Sequence, residues 1–264
     1  MARNIFKVKR NPKVIKTYRQ SVPATRFIGK KYGDEDRIDG HGGFGAQWKE
    51  WFEKGWFKLL EESCPKADFE DADAYIGLMR YKGDEPNPEP FQYWVGMFFA
   101  EGAEVPEGFE YVDFPASDLG VGWLYGKDSY IYAKEHLVFD GFKKQGIKVI
   151  PDRQDAYWFF ERYACDSAPR PKKKGKFVLD VCWYAEKEGE TKKVRVCKTC
   201  SGFDVAELEG LLAPEDYTTY CIGKCKRHNP KLEGKVYGLI NEELVVCESK
   251  EEFFAKIKEA VEES

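Results

Sequence analysis

The sequence predicts an α+β protein in two parts: a strand–helix–strand–strand unit used twice, then a small α/β domain. Three observations carry this. Runs rich in aromatic and β-branched residues, "ADAYIGLMRY", "FQYWVGMFFA", "AYWFFERYA" and "KFVLDVCWYA", read as strands. Two stretches with apolar residues at helical spacing, 44 to 62 and 128 to 146, separate them. A charged run, "EKEGETKK", then divides residues 1–187 from residues 193–264, which alternate short strands and helices of their own.

Taken in order, an N-terminal arm leads to a first strand in "VPATRFIGKKYG", holding Phe27 and Ile28. The glycine-rich "GHGGFG" that follows lacks the GK[ST] of a phosphate loop and reads as the entry to a helix. That helix carries Trp48, Trp51, Phe52, Phe57, Leu59 and Leu60. Strands are expected over 73 to 81, 91 to 100, a short "FEYVDF" and 119 to 126, with the Gly/Pro-dense "EGAEVPEGFE" as a turn. A second amphipathic helix points Ile131, Leu137, Val138 and Phe142 at the sheet, and two closing strands are joined by the basic loop "RPKKKGK". Past the linker come a strand "VRVC", a helix "GFDVAELEGLL", a strand "YTTYC", a hairpin "KVYGLINEELVVC" and a terminal helix that Ser249 and Glu252 cap.

Composition narrows the function. Charged residues are 33% of the chain and nearly balanced, with net charge -4, which argues against a general nucleic-acid binder. The first residues lack a signal-type apolar core and no run reaches the ~18 to 20 apolar residues that span a bilayer. A cytoplasmic protein without a membrane partner is expected. In that reducing setting the eight cysteines point to metal ligation or thiol chemistry before disulfides.

Aromatic residues make up 16% of the chain, and their arrangement defines a candidate site. Alternation along "YWFFERY" puts Tyr157, Phe159, Glu161 and Tyr163 on one face and Trp158, Phe160 and Arg162 on the other. A buried carboxylate costs several kcal/mol unless something compensates it. With Arg162 pointing away, compensation falls to a ligand cation, a tyrosine hydroxyl or a proton. Tyr93 and Met97 share a face of "FQYWVGMFF", and Trp123 and Tyr125 project together between Gly120, Gly122 and Gly126, where missing side chains leave room. These residues are the candidate ligand-binding set.

The stretch "YWVGMFFAEGAEVPEGFEYVDFPASDLGVGWLYG" with the later "WFFERYACDSAPRP" and "GKFVLDVCWYA" resembles the GyrI-like small-molecule-binding family, related to effector domains of multidrug-sensing regulators, over roughly residues 15 to 186. The resemblance implies a duplicated core with a ligand cleft between its halves, and an aromatic, acidic pocket for hydrophobic, cationic small molecules. Some relatives hydrolyse cyclopropane-containing DNA-alkylating compounds; for that activity the plan is Glu161 as general base or electrostatic anchor and Tyr125 as the hydroxyl that polarises a carbonyl. The roughly twenty residues before the first strand cannot hold a helix-turn-helix, so no direct nucleic-acid partner is expected.

In the second part, Cys197 and Cys200 form CxxC, and Cys221 and Cys225 form CxxxC some twenty residues on. Two such pairs are a metal-binding pattern, since each short loop aims two sulfurs at one ion. The segments "VRVCKTCSGFDVAELEGLL", "YTTYCIGKCKRHNP" and "VYGLINEELVVCESKEEFFAKI" resemble the thioredoxin-like ferredoxin family, which holds a 2Fe-2S cluster. The family separates its first two cysteines by around ten residues, whereas two intervene here. Zinc accepts the same four sulfurs, with His228 as a substitute ligand, and a redox dithiol at the start of a helix is the metal-free alternative.

Overall fold

The computed structural model describes residues 12–38, 42–82, 89–152, 154–163, 175–188, 193–213, 216–219, 222, 224, 229–241 and 243–262. It divides into two compact units, Met1–Lys187 and Glu188–Ser264. In the larger unit the chain runs through β1 (Lys13–Val22), β2 (Thr25–Tyr32), α1 (Gly45–Lys54), α2 (Trp56–Ser63), β3 (Tyr75–Tyr81), β4 (Gln92–Ala100), β5 (Glu110–Phe114) and β6 (Ser117–Lys127). It continues through α3 (Asp128–Ile131), a 3-10 turn (Glu135–Val138), α4 (Phe139–Lys144), β7 (Tyr157–Tyr163) and β8 (Lys176–Ala185). The eight strands form one antiparallel sheet in the order β1-β6-β8-β7-β3-β4-β2-β5, so the unit is α+β with a large sheet and short helices.

Three expectations need correction. The N-terminal arm is an edge strand, β1, paired along its length with β6; its exposed Lys13 and Lys16 suit an edge open to water, and its scattered polar residues hide the strand pattern. The helix expected over 44 to 62 is two helices, because Gly55 adopts a left-handed conformation (φ 66°) that ends α1 and starts α2. The second helix is broken into α3, the 3-10 turn and α4, with Ala133 left-handed (φ 54°) at the break.

The helices cover one face of the sheet in two groups. α1 and α2 pack on β4, while α3, α4 and the 3-10 turn pack on β6, β8 and β1. Glycines set how closely the second group approaches: a Cβ on Gly122 would sit 2.2 Å from Val138, and one on Gly120 2.9 Å from Ile147. The central strands β7 and β3, paired from Tyr75↔Tyr163 to Tyr81↔Tyr157, lie under the seam between the groups.

On the other face, Arg162 is fully buried and saturated. It bonds to Asp180 at 3.0 Å, to Gln20 at 2.9 Å and to the Tyr18 hydroxyl at 3.3 Å, with Asp71 at 3.5 Å. A surface depression of about 320 Å³ lined by Lys66, Ala67, Phe69 and Glu70 to Asp73 shares Asp71 with this network, on the side of the sheet away from Glu161.

The smaller unit contains β9 (Val194–Arg195), a 3-10 helix (Val205–Gly210), β10 (Tyr217–Thr218), β11 (Val236–Ile240), β12 (Glu243–Cys247) and α5 (Lys250–Glu262). Its sheet order is β10-β9-β11-β12, with β10 parallel to β9 and the other pairs antiparallel. Val194, Val196, Leu208, Phe253 and Ile257 form its core. Ser249 accepts from Glu252 N at 3.2 Å, while the Glu252 carboxylate accepts from Glu248 N, so the expected cap is present with its return bond one residue early. No helix of the described residues is long and apolar enough to cross a membrane.

Removing one partner of a buried ion pair strands the other, so Asp180→Ala should destabilise the larger unit by about 3–5 kcal/mol. All seven tryptophans lie in residues 1–187, so tryptophan fluorescence during urea unfolding reports this unit alone; an unmoved midpoint would show that Asp71 compensates Arg162 by itself.

Candidate functional site

The central ladder places Glu161 in the middle of the covered face. Reading across the strands in register, Val95 lies opposite Gly77, Gly77 opposite Glu161, Glu161 opposite Val181 and Val181 opposite Gly122. The adjacent row on the same face is Tyr93, Met79, Phe159, Trp183 and Gly120. Gly77 decides what can reach Glu161: a Cβ there would lie 2.5 Å from the Tyr93 hydroxyl, so the bare backbone is what lets that hydroxyl lean into the carboxylate's row.

Glu161 is 5% exposed, and among the described residues no cation pairs with it. The Tyr163 hydroxyl donates to Glu161 Oε2 at 2.8 Å. Glu135, from the 3-10 turn of one helical group, is hydrogen-bonded to Glu161 and brings a second negative charge. Burial above all, then the Glu135 charge, pushes the Glu161 carboxyl up to about 8, against the pull of the Tyr163 bond. At neutral pH the group therefore holds its proton, with one O–H to give, and Glu135 is the acceptor at hand.

From the other helical group, Trp48 Nε1 donates to the Tyr93 hydroxyl at 2.9 Å, and the Trp48 ring meets Tyr163 edge-on at 4.9 Å. Phe44 stacks on Tyr93 at 4.1 Å. Burial and the neighbouring Glu161 push both phenols, Tyr93 and Tyr163, upward, so they remain hydrogen-bond donors. Along the row, Phe159 stacks on Trp183 at 4.1 Å, and Phe139 meets Trp183 at 4.8 Å. Aromatic rings thus stand over the carboxyl from the α1 side, where Trp48 touches Tyr163, and Glu135 reaches it from the other helical group.

The expected set divides by face. Tyr93, Tyr157, Phe159, Glu161 and Tyr163 come together, and Met97 shares their side but is buried two strands from Glu161, opposite Ile28. Trp123 and Tyr125, expected beside Glu161, are on the opposite face. The register that sets Gly122 opposite Val181 sends both rings the other way, Trp123 against Tyr18 and Lys16 and Tyr125 near Lys176. The expected pairing of Glu161 with the Tyr125 hydroxyl is thereby removed. Sequence reasoning missed Glu135, Trp183, Phe44 and Gly77 as neighbours and assigned Trp48 only to helix packing. A glycine inside "YIGLMRY" was the one available signal.

In the smaller unit, Cys197 and Cys200 stand on one tight turn: Cys200 N and Ser201 N both donate to Cys197 O, at 3.0 and 2.9 Å. Cys221, Cys225 and His228 lie outside the described residues, and among the described residues no three ligand-type side chains converge. The turn does not open a helix directly; the next helical residues are the 3-10 segment from Val205. The helix N-terminus that the dithiol reading needs is therefore not at Cys197.

No family model and no curated protein matches the chain. Among solved structures, it is similar to a candidate bacterial transcription regulation protein from Staphylococcus aureus, with 13% identity, 65% of this chain and 99% of that one covered, and a TM-score of 0.42. A protein solved with bound tetraphenylphosphonium gives 12% identity, 65% and 94% coverage and a TM-score of 0.43. A hydrolase from Listeria innocua gives 12%, 65%, 92% and 0.34.

The pH dependence of stability checks the state of Glu161. Its carboxyl is raised from an ordinary 4.5 to about 8 in the native protein, which therefore holds an extra proton between these values. The associated stability is fully present below about 4.5 and lost as pH rises through about 8. Glu161→Gln removes this loss, so its fluorescence-monitored urea midpoint should gain on the wild type as pH is raised from about 6 to about 9. Parallel curves for the two proteins would mean a water-exposed Glu161.

Proposed function

We propose that the larger unit binds hydrophobic organic cations at the seam over β3 and β7, with Glu161 as the anionic anchor. One observation carries this reading: a carboxyl buried at the centre of a sheet, ringed by aromatics, without a cationic partner among the described residues. A ligand cation is the compensation the protein itself does not supply. The stacked rings add roughly 0.5 to 2 kcal/mol each toward a positive charge held against them. We read β2–α1–α2–β3–β4 and β6–α3–α4–β7–β8 as two copies of one GyrI-like unit, which puts the site between the copies.

The rings are in contact over Glu161, so a ligand enters by parting Trp48 from Tyr163 and the Glu135 turn from β7. Rings that border this route are partly open to water: Phe52 on α1 is 58% exposed, and Tyr132 and Phe139 are 41% and 39% exposed. The groups that face the carboxyl are Tyr163 on its own strand, Tyr93 on β4, and Glu135 on the 3-10 turn, with Tyr132 acting on both phenols. A cation that needs Glu161 ionised must displace its proton.

For the smaller unit we propose a thiolate metal site, held by Cys197, Cys200, Cys221 and Cys225, in a thioredoxin-like arrangement. The tight turn that carries Cys197 and Cys200 supports it, since it brings the two residues of the CxxC pair together. A 2Fe-2S cluster there would supply one-electron transfer and zinc a structural clamp.

Calorimetric titration of the full chain with benzyltriphenylphosphonium tests the first reading. Affinity should rise with pH and level off above about 8, with proton release seen as a buffer-dependent heat. Glu161→Gln should weaken binding about ten-fold or more, the loss expected for a charge-assisted contact; equal affinity of variant and wild type would refute the anchor. Metal analysis tests the second: purified protein should carry stoichiometric zinc, or iron with visible absorption bands, and Cys197→Ser should lose it. Metal-free, colourless protein purified under reducing conditions counts against the site.

A further inference from the structure

Trp183 is only 9% exposed, and its indole N–H has no hydrogen-bond partner among the described residues. Leaving such a donor unpaired away from water costs about 1–3 kcal/mol, and native proteins rarely accept that. The ring is held firmly. Phe159 stacks on it, Phe139 meets it edge-on, and Tyr157 lies at 6.4 Å. Trp183 stands on the same face as Glu161, on the neighbouring strand β8 and one row along: Glu161 is opposite Val181, and Phe159 is opposite Trp183. Such diagonal neighbours have their Cβ atoms roughly 7 Å apart.

We propose that Trp183 is a second, polar contact of the same site, and that the ligand carries a hydrogen-bond acceptor, such as a carbonyl oxygen, about one strand repeat from its cationic centre. This rests on the cation-binding reading. It narrows the ligand class from any aromatic cation to one with a cation at one end and an acceptor at the other. The aromatic stack around Trp183 gives no other role for a donor that a phenylalanine ring of similar packing would lack.

A matched pair of probes separates the two readings: (4-acetylbenzyl)triphenylphosphonium, which carries the acceptor, and (4-ethylbenzyl)triphenylphosphonium, which does not. Wild-type protein should bind the ketone about three- to ten-fold more tightly, the worth of one neutral hydrogen bond. Trp183→Phe should bind the two compounds with equal affinity, whatever the lost indole costs both, and a cooperative urea transition near that of the wild type shows that the variant is folded. In wild-type protein the Trp183 indole N–H resonance should shift downfield with the ketone and not with the ethyl compound, a readout that needs no variant. Binding of both probes by the wild type with equal affinity, or a preference that survives Trp183→Phe, overturns the Trp183 contact and leaves the cation site standing. Failure of the wild type to bind either compound overturns both.

Discussion

The antiparallel pairing of β3 with β7 is the constraint on which the larger unit depends. It joins two groups of strands and helices into one sheet, and it fixes the row in which every central side chain stands. Because successive residues of a strand face opposite ways, this ladder splits the adjacent pair Glu161 and Arg162 between two environments. The sheet then treats the two charges differently. Arg162 finds two carboxylates, an amide and a phenol, while Glu161 finds phenols, indoles and another carboxyl.

That asymmetry has a simple energetic meaning. A buried guanidinium cannot shed its charge, so the fold must supply anions, and Asp180 and Asp71 do so at contact distance. A buried carboxyl has a cheaper exit: it takes up a proton. The neutral Glu161 then satisfies itself by accepting from Tyr163 and donating a hydrogen bond to Glu135. The proposed function draws on this latent negative charge, which a bound cation would bring out.

Much of this was legible in the residues. The strands β3, β4, β6, β7 and β8 announce themselves through aromatic and β-branched runs, and alternation within "YWFFERY" alone separates Glu161 from Arg162. What failed was whatever depended on pairing register. Trp123 and Tyr125 look like partners of Glu161 until the match of Gly122 with Val181 fixes which face of β6 looks inward. Large rings beside glycines suggested a hollow on the ring side, whereas the glycines themselves face the helices, where Val138, Phe142 and Ile147 fill the space. Glu135 was invisible for a different reason: a glutamate in a helical pattern reads as solvent-facing, and only the break at Ala133 turns that segment so that its carboxyl reaches the sheet. β1 was missed because an edge strand with one side in water needs no hydrophobic signature.

The closed packing over Glu161 follows from the same chemistry. An aromatic wall that stayed open would expose rings to water and let water ionise the carboxyl, and both effects would weaken the contrast that selects a cation. Trp48 against Tyr163 and Phe44 against Tyr93 close the rings around the carboxyl. The glycine at 77 matters here because it lets Tyr93 settle against the sheet, held from above by Trp48, so that one helical residue controls both rings that border the carboxyl. Moving α1 by a small amount would therefore release the hydrogen bond to Tyr93 and the edge contact to Tyr163 together. In the proposed cation-binding reading, opening is therefore a coupled step, in which a guest replaces ring–ring contacts with its own and the proton on Glu161 with its charge.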